Sequence, residues 1–143
     1  MIKIGVVQEK DYEEVKNFLM KQKNHSPIND NCLVMAAKER DELLAVGIVN
    51  LQDDYAVLED IIIGDNEGFQ LEYAMGKALL NAVDLRGILH VFCINGRIKK
   101  LLIKLGFTEN IEGVEVPDLL QQHSVVFYLN LFNYFTNHSC QET

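Results

Sequence analysis

Three apolar runs in the first half of the chain are separated only by short polar segments. They cover residues 32–38, 43–51 and 55–63, with ERDE and QDD between them. Short polar connections between strand-like runs are typical of hairpins, so we predict an antiparallel meander of three strands. The third run ends in three consecutive isoleucines, as expected of a strand that is buried on both faces.

Further periodic segments surround this meander. Asp11 can cap a first helix, and Pro27 lies in a polar loop to which we assign no regular structure. A later helix joins the third strand of the meander to the next apolar strand, which predicts a right-handed crossover between parallel neighbours. The pattern therefore predicts one α/β domain, 1–143, whose mixed sheet is mostly antiparallel, has one parallel strand pair and is flanked by helices. Outside the meander, the predicted elements are a strand at 3–8, helices at 11–21, 67–87 and 95–104, a strand at 88–94, a strand after Gly106 and a strand at 124–132.

Composition narrows the class of protein. No apolar run approaches the length of about 20 residues that crosses a bilayer, and the N-terminus lacks the apolar core of a signal peptide, so we expect a cytoplasmic protein without a membrane segment. A net charge of −8 disfavours a nucleic-acid partner. The most basic segment, residues 96–104, is either a local positive site for an anionic ligand or the solvated face of an amphipathic helix.

The cysteines and histidines give no sign of a metal site. Cys32, Cys93 and Cys140 have no metal-like spacing, and the four histidines are equally scattered. Reduced thiols are the expected state, and Cys93, on an apolar strand, is better interpreted as a small buried hydrophobe than as a nucleophile.

The helix predicted at 67–87 contains two glycines, Gly68 and Gly76. An interior glycine costs a helix about 1 kcal/mol relative to alanine, so its presence needs a reason. Gly76 either allows close packing against the rest of the fold or lets the backbone approach a phosphate group.

The element order, with GKALL and NGRIKKLLIKLGF, resembles the GNAT superfamily of acyl-CoA-dependent N-acyltransferases. The resemblance extends from Ile2 to about Leu131 and is most specific from Val57 to Phe107. It implies a GNAT-like fold, acetyl-CoA as the co-substrate, an amine of a small molecule or a protein as the acceptor, and direct attack in a ternary complex. A monomer or a homodimer is expected.

In the family, a loop of the form Q/R-x-x-G-x-G/A binds the cofactor pyrophosphate at the start of a helix. Alignment on GKALL places Gly76 on the last glycine, Ala74 on the middle one and Leu71 on the Gln or Arg position, while Gln70 could substitute for Leu71 in a longer loop. If the helix instead begins near Glu67, Gly76 is mid-helix and serves packing. The implied cofactor-binding residues of this loop are Gln70, Leu71, Ala74, Met75, Gly76 and Lys77.

The family also binds pantetheine through the backbone of the strand before this loop, where that strand separates from its parallel neighbour. By resemblance these residues are Ile61, Ile62 and Ile63, whose side chains could equally belong to the core. Asn95 matches an asparagine that contacts the cofactor, or it caps a helix. Leu102 stands where many members have a tyrosine acid.

Acyl transfer to an amine needs a base, and the best candidate is Glu59, next to Asp60. Strand alternation predicts that these two side chains point to opposite faces, and burial would raise the pKa of a carboxyl group here. The alternative is one acid in solvent and the other in a salt bridge. Tyr73 is the candidate proton donor, with Tyr128 as another, although both could be packing residues.

Three functional hypotheses follow from the sequence. The first is an acetyl-CoA-dependent N-acyltransferase. The second is a catalytically inactive GNAT-fold module that senses acyl-CoA or binds a protein, which the missing Gln or Arg, middle glycine and tyrosine favour. The third is an unrelated mixed α/β fold.

Overall fold

A computed structural model describes residues 1–26, 28–132 and 134 of the chain. Its core is one six-stranded sheet in which the strands lie side by side in chain order. The strands are β1 Lys3–Val6, β2 Cys32–Glu39, β3 Glu42–Leu51, β4 Tyr55–Ile63, β5 His90–Cys93 and β6 Phe127–Asn130. The helices are α1 Tyr12–Lys21, α2 Phe69–Asp84 and α3 Lys99–Leu105.

The sheet has the predicted mixed topology. From β1 to β4, each strand pairs antiparallel with the next one in the chain. β4 and β5 pair parallel, and β5 and β6 pair antiparallel. The meander of β2, β3 and β4 is confirmed because two tight polar connections reverse the chain, and α2 forms the predicted crossover from β4 to β5. Arg40 and Asp41 form the first connection with positive φ angles of 52° and 67°.

Helices cover the two faces of the sheet unequally. α2 and α3 pack on one face over the largest hydrophobic cluster, which includes Met75, Leu79 and Leu101. α1 covers β2, β3 and β4 on the opposite face, with Val15 and Leu19 buried there. Over β4, β5 and β6, that opposite face carries a third cluster that includes side chains of the connection to β6.

Two predictions about the C-terminal third were wrong. Gly106 ends α3 with a φ of 104°, but the described residues between α3 and β6 form no strand: Thr108 makes an isolated bridge to Tyr128. The side chains of Thr108 and Asn110 accept hydrogen bonds from the main-chain N–H groups two residues later, so the backbone turns there instead of extending. The last strand is also shorter than 124–132, since pairing is confined to Phe127–Asn130.

None of the helices in the described ranges combines the length and the hydropathy that crossing a membrane requires.

Candidate functional site

β4 has a free edge over its second half. β4 and β5 pair only at Tyr55–His90, Ala56–Val91 and Val57–Phe92. β4 then continues to Ile63 in contact with β3, while β5 ends at Cys93. The last residues of β4 therefore have no neighbouring strand on the β5 side, and all three isoleucines lie beyond the final pair.

The side chains of Ile61, Ile62 and Ile63 belong to the core, as the packing interpretation expects. Ile61 and Ile63 contact the cluster under α2, and Ile62 packs in the cluster under α1. This burial leaves their main-chain groups as the atoms that a ligand beside β4 could reach, so the predicted role of the three residues in cofactor binding stays a prediction.

Two polar side chains occupy the gap between β4 and β5. The Asn95 amide donates to the Glu59 carbonyl over 3.0 Å, and the Arg97 guanidinium donates to the Ile61 carbonyl over 3.0 Å. Asn95 also accepts a bond from the main-chain N–H of Arg97, so it caps the 3₁₀ turn Gly96–Ile98 as one interpretation predicts. These two side chains supply hydrogen bonds that a longer β5 would have supplied.

Asp60 is the buried anion at the centre of this arrangement, with 4% of its surface exposed. Its carboxylate accepts from the Asn24 amide over 2.8 Å, from the main-chain N–H of Ile61 over 2.8 Å and from the Arg97 guanidinium. The salt bridge that the sequence offered as an alternative for one of the two acids is thus made by Asp60. Because the carboxylate is held by three donors, Asp60 connects the loop after α1 to β4 and to the 3₁₀ turn before α3.

Glu59 lies at a β-bulge, so the regular alternation on which the prediction of opposite faces for Glu59 and Asp60 was based does not hold here, and that prediction stays a prediction. Val49 pairs with Leu58 and Ile48 pairs with Asp60, so Glu59 is the extra residue. An extra residue interrupts the alternation of side chains across the strand. Burial, and then the charge of Asp60, raise the pKa of the half-buried Glu59 carboxyl. A raised pKa makes the Glu59 carboxylate a better proton acceptor than it would be in solvent.

α2 begins two turns earlier than a pyrophosphate loop at 71–76 would require. Its N-cap is Gly68 and its first residue is Phe69. The helix therefore includes all six implied cofactor-binding residues of that loop, namely Gln70, Leu71, Ala74, Met75, Gly76 and Lys77. Most of these residues are good helix formers, and the Met75 side chain is fully buried, which favours helix over loop.

Gly76 serves packing, as expected if the helix begins near Glu67. It is buried in mid-helix, and a Cβ atom added to it would lie 2.7 Å from Cδ1 of Leu105 on α3. Leu105 is itself fully buried, so the absent side chain of Gly76 lets α2 and α3 approach closely.

The first turns of α2 lie beside lysines. Lys100 lies 4.9 Å from the ring centre of Phe69, and Lys77 and Lys104 lie 5.6 Å and 5.8 Å from that of Tyr73. All three distances are within the range of cation–π attraction. This lysine cluster, Lys77, Lys100 and Lys104, lies near the positive end of α2, and the basic segment 96–104 was the sequence signal for Lys100 and Lys104.

The two tyrosine candidates lie in different surroundings from Glu59. The Tyr73 ring contacts Lys77 and Lys104, and the Tyr128 hydroxyl lies 2.7 Å from Nδ1 of His90. Leu102, at the family's tyrosine position, is fully buried in the core. The role of Tyr73 as a proton donor stays a prediction.

Sequence reasoning missed Arg97 and Asn24 as members of this site. The available signal was Asp60 itself, a carboxylate in an apolar strand, which needs a cation and further donors when it is buried. The sequence could not identify the partner, since Arg97 is 37 positions away from Asp60.

No protein-family model matches the sequence, and no curated protein sequence matches it. Solved structures, in contrast, match nearly the whole chain. The ribosomal-protein-S18-alanine N-acetyltransferase from Escherichia coli has a TM-score of 0.67 at 17% identity, over 91% of this chain and 94% of that one.

Two further matches contain a bound cofactor. N-acetylglutamate synthase from Neisseria gonorrhoeae, complexed with coenzyme A and N-acetyl-glutamate, has a TM-score of 0.71 at 10% identity, over 92% of this chain and 35% of that one. A GNAT family acetyltransferase from Elizabethkingia anophelis with acetyl-CoA bound has a TM-score of 0.58 at 9% identity, over 90% of this chain and 97% of that one. The chain therefore has the GNAT fold, which confirms the resemblance at the level of the fold and excludes an unrelated mixed α/β fold.

Proposed function

We propose that the protein is an acyl-CoA-dependent N-acyltransferase that transfers an acetyl group from acetyl-CoA to an amine. The observation that carries this proposal is the free edge of β4 beyond the Val57–Phe92 pair, with the half-buried Glu59 at its bulge. The GNAT fold, together with the coenzyme A and acetyl-CoA bound in two of the similar structures, supports it.

The free edge of β4 suits the pantetheine arm of an acyl-CoA. Main-chain groups there can form hydrogen bonds with an extended, amide-containing chain in the way that a neighbouring strand would. Arg97 must first release the Ile61 carbonyl. The side chain of Arg97 is 58% exposed, so it has room to turn toward solvent and toward the anionic end of the donor.

The phosphates would bind at a different place from the aligned motif. Leu71 to Gly76 are helical and have no free loop amides to offer, whereas the first amides of α2, after Gly68, lack intrahelical acceptors. A side chain added at Gly68 would meet no atom within 4 Å, so this end of α2 is open to a ligand. The lysine cluster provides positive charge beside it.

Glu59 is the proton acceptor in this proposal. The neutral amine attacks the thioester carbonyl carbon, a C–N bond forms, and the C–S bond breaks as the tetrahedral intermediate collapses. The proton lost by the amine passes to Glu59, and the coenzyme A thiolate takes up a proton, for which Tyr73 is the candidate donor. The products are an amide and coenzyme A.

A non-catalytic acyl-CoA sensor or protein-interaction module is the second candidate. Three features favour it: Arg97 occupies the gap between β4 and β5, Leu102 stands at the tyrosine position, and the 71–76 segment is helical. Both an enzyme and a sensor should be stabilised by acetyl-CoA, because a ligand that binds the native state raises the melting temperature. A protein-interaction module should not.

The test combines melting curves with a turnover assay. Acetyl-CoA should raise the melting temperature, and a panel of amines should release thiol from acetyl-CoA in the presence of the wild type but far more slowly with Glu59→Gln. Stabilisation without thiol release for any amine would establish the sensor. No shift at about 1 mM acetyl-CoA would leave the protein-interaction module.

A further inference from the structure

A cavity lies at the other end of the parallel strand pair, away from the free edge of β4. Its volume is about 660 Å³, and it lies between the sheet and the loop 113–118. Tyr55 and His90, the first residues of β4 and β5, form part of its floor, whereas Glu59 and Ile61 follow later in β4. The proposed acyl transfer does not use this cavity.

Four aromatic side chains in a chain of contacts form the floor: Tyr55 and His90 are accessible, whereas Phe92 and Tyr128 are buried beneath them, with 1% and 8% of their surface exposed. The ring centres of Tyr55 and Phe92 are 6.0 Å apart, those of Phe92 and Tyr128 are 5.1 Å apart, and those of His90 and Tyr128 are 5.9 Å apart. The 2.7 Å contact between Nδ1 of His90 and the Tyr128 hydroxyl fixes the last two rings relative to each other. The floor is thus a preformed aromatic surface and not a set of separate side chains.

The remaining polar lining is mostly acidic. Asp54, Glu115 and Asp118, all exposed, are among its lining residues, and none of the described residues that line the cavity is a lysine or an arginine. Aromatic faces and carboxylates attract the same class of ligand, since both favour positive charge: the rings through their quadrupole and the acids through ion pairing.

We infer that this cavity binds an organic ammonium ion, with its apolar part on the accessible rings of Tyr55 and His90, which Phe92 and Tyr128 support from below, and its charge beside Glu115 and Asp118. A volume of 660 Å³ is in the range of small-molecule sites and exceeds what a single metal ion needs. Binding of such a cation does not require acyl transfer at the β4 edge, so the two activities can be tested separately.

The test measures binding of matched charged and neutral probes by calorimetry at neutral pH, without any acyl donor. Choline and n-butylammonium should bind, whereas their neutral counterparts, 3,3-dimethyl-1-butanol and n-butanol, should bind at least about tenfold more weakly. Equal binding of charged and neutral probes, or no binding of either cation at about 10 mM, would overturn the inference.

Two variants separate the contribution of the aromatic floor from that of the acidic rim, Glu115 and Asp118. The double variant Glu115→Gln with Asp118→Asn keeps the side-chain shape and should weaken choline binding about tenfold, whereas Glu13→Gln, on the exposed side of α1, should not change it. Tyr55→Leu should weaken binding about threefold or more by removing one aromatic face. If Tyr55→Leu does not fold, the rim variant decides the question alone, and unchanged affinity in it would refute the site.

Discussion

Arg97 donates a hydrogen bond to the main-chain carbonyl of Ile61 over 3.0 Å, across the gap that opens between β4 and β5. The same nitrogen of Arg97 pairs with the buried carboxylate of Asp60. One side chain therefore does two things: it neutralises a buried anion, and it closes the strand edge at which the proposed donor would bind. The two partners differ in exposure, with 58% of the Arg97 side chain and 5% of the Asp60 side chain accessible.

Replacement of Arg97 by alanine should destabilise the protein because Asp60 would remain buried without its cation. We expect a loss of about 2–3 kcal/mol in the free energy of unfolding, measured by urea denaturation. Lys99→Ala, which removes an exposed pair with Glu109, is the matched control and should cost less than about 1 kcal/mol. Adding Asp60→Asn to the Arg97 variant should recover part of the loss, and equal losses in the Arg97 and Lys99 variants would contradict the structural role.

The lysine cluster should determine affinity for the phosphate end of the donor. Replacing Lys100 and Lys104 together by alanine should weaken coenzyme A binding by about tenfold, and increasing salt should reduce the difference from wild type. Calorimetry with the double variant Lys16→Ala and Lys21→Ala, both on α1, controls for the removal of two positive charges. Unchanged affinity in the double variant would place the phosphates elsewhere.

Gly76 should be required for packing of α2 on α3. Gly76→Val should lower the free energy of unfolding by about 1–3 kcal/mol, because its side chain would overlap Leu105. Asn81→Val introduces the same residue at an exposed position of α2, and since valine and asparagine have similar helix propensities it should change the free energy of unfolding by less than about 0.5 kcal/mol.

Combining Gly76→Val with Leu105→Ala then tests the contact itself. The double variant should be more stable than the sum of the two single losses predicts, since the valine fills space that Leu105 vacates. A stable Gly76→Val protein that no longer binds coenzyme A would restore the phosphate interpretation of this glycine.

The sequence predicted the topology well because topology depends on local patterns. Alternation, two polar connections and one helical crossover were sufficient for the order β2 to β5. The start of α2 was harder, since a family motif suggested a loop where the helix-forming residues from Phe69 to Met75 favour helix. Arg97 could not be predicted as the partner of Asp60, because that contact exists only after β4, β5 and α3 have assembled.

Cys93 should be inert toward alkylation in the folded protein. Burial, the largest influence, raises the pKa of its thiol to about 12, although a hydrogen bond from the backbone of Asn95 opposes this. In a Cys140→Ser background, iodoacetamide should modify Cys32, which is partly exposed, and should reach Cys93 only in denaturant. Mass spectrometry of the native protein checks this, and rapid native labelling of Cys93 would show that β5 is not packed under α2.

Glu59 should make the stability of the protein fall as the pH rises. Its pKa is raised in the folded state, first by burial and then by Asp60. Below the ordinary pKa of 4.5 the carboxyl group is protonated in both the folded and the unfolded chain, so it carries no penalty there. As the pH rises through the raised folded-state pKa, the folded protein must ionise a half-buried group, and stability is lost.

Glu59→Gln mimics the protonated side chain and removes this dependence. Urea denaturation from about pH 4 to about pH 7 should show wild type and variant nearly equal at the acidic end, with the variant increasingly more stable toward neutrality. In the proposed mechanism the carboxylate acts on the amine and the main chain holds the donor, so the same substitution should slow thiol release without weakening acetyl-CoA binding. A stability difference that is independent of pH would mean that Glu59 has an ordinary pKa, and it would then lose its advantage over other carboxylates as the base.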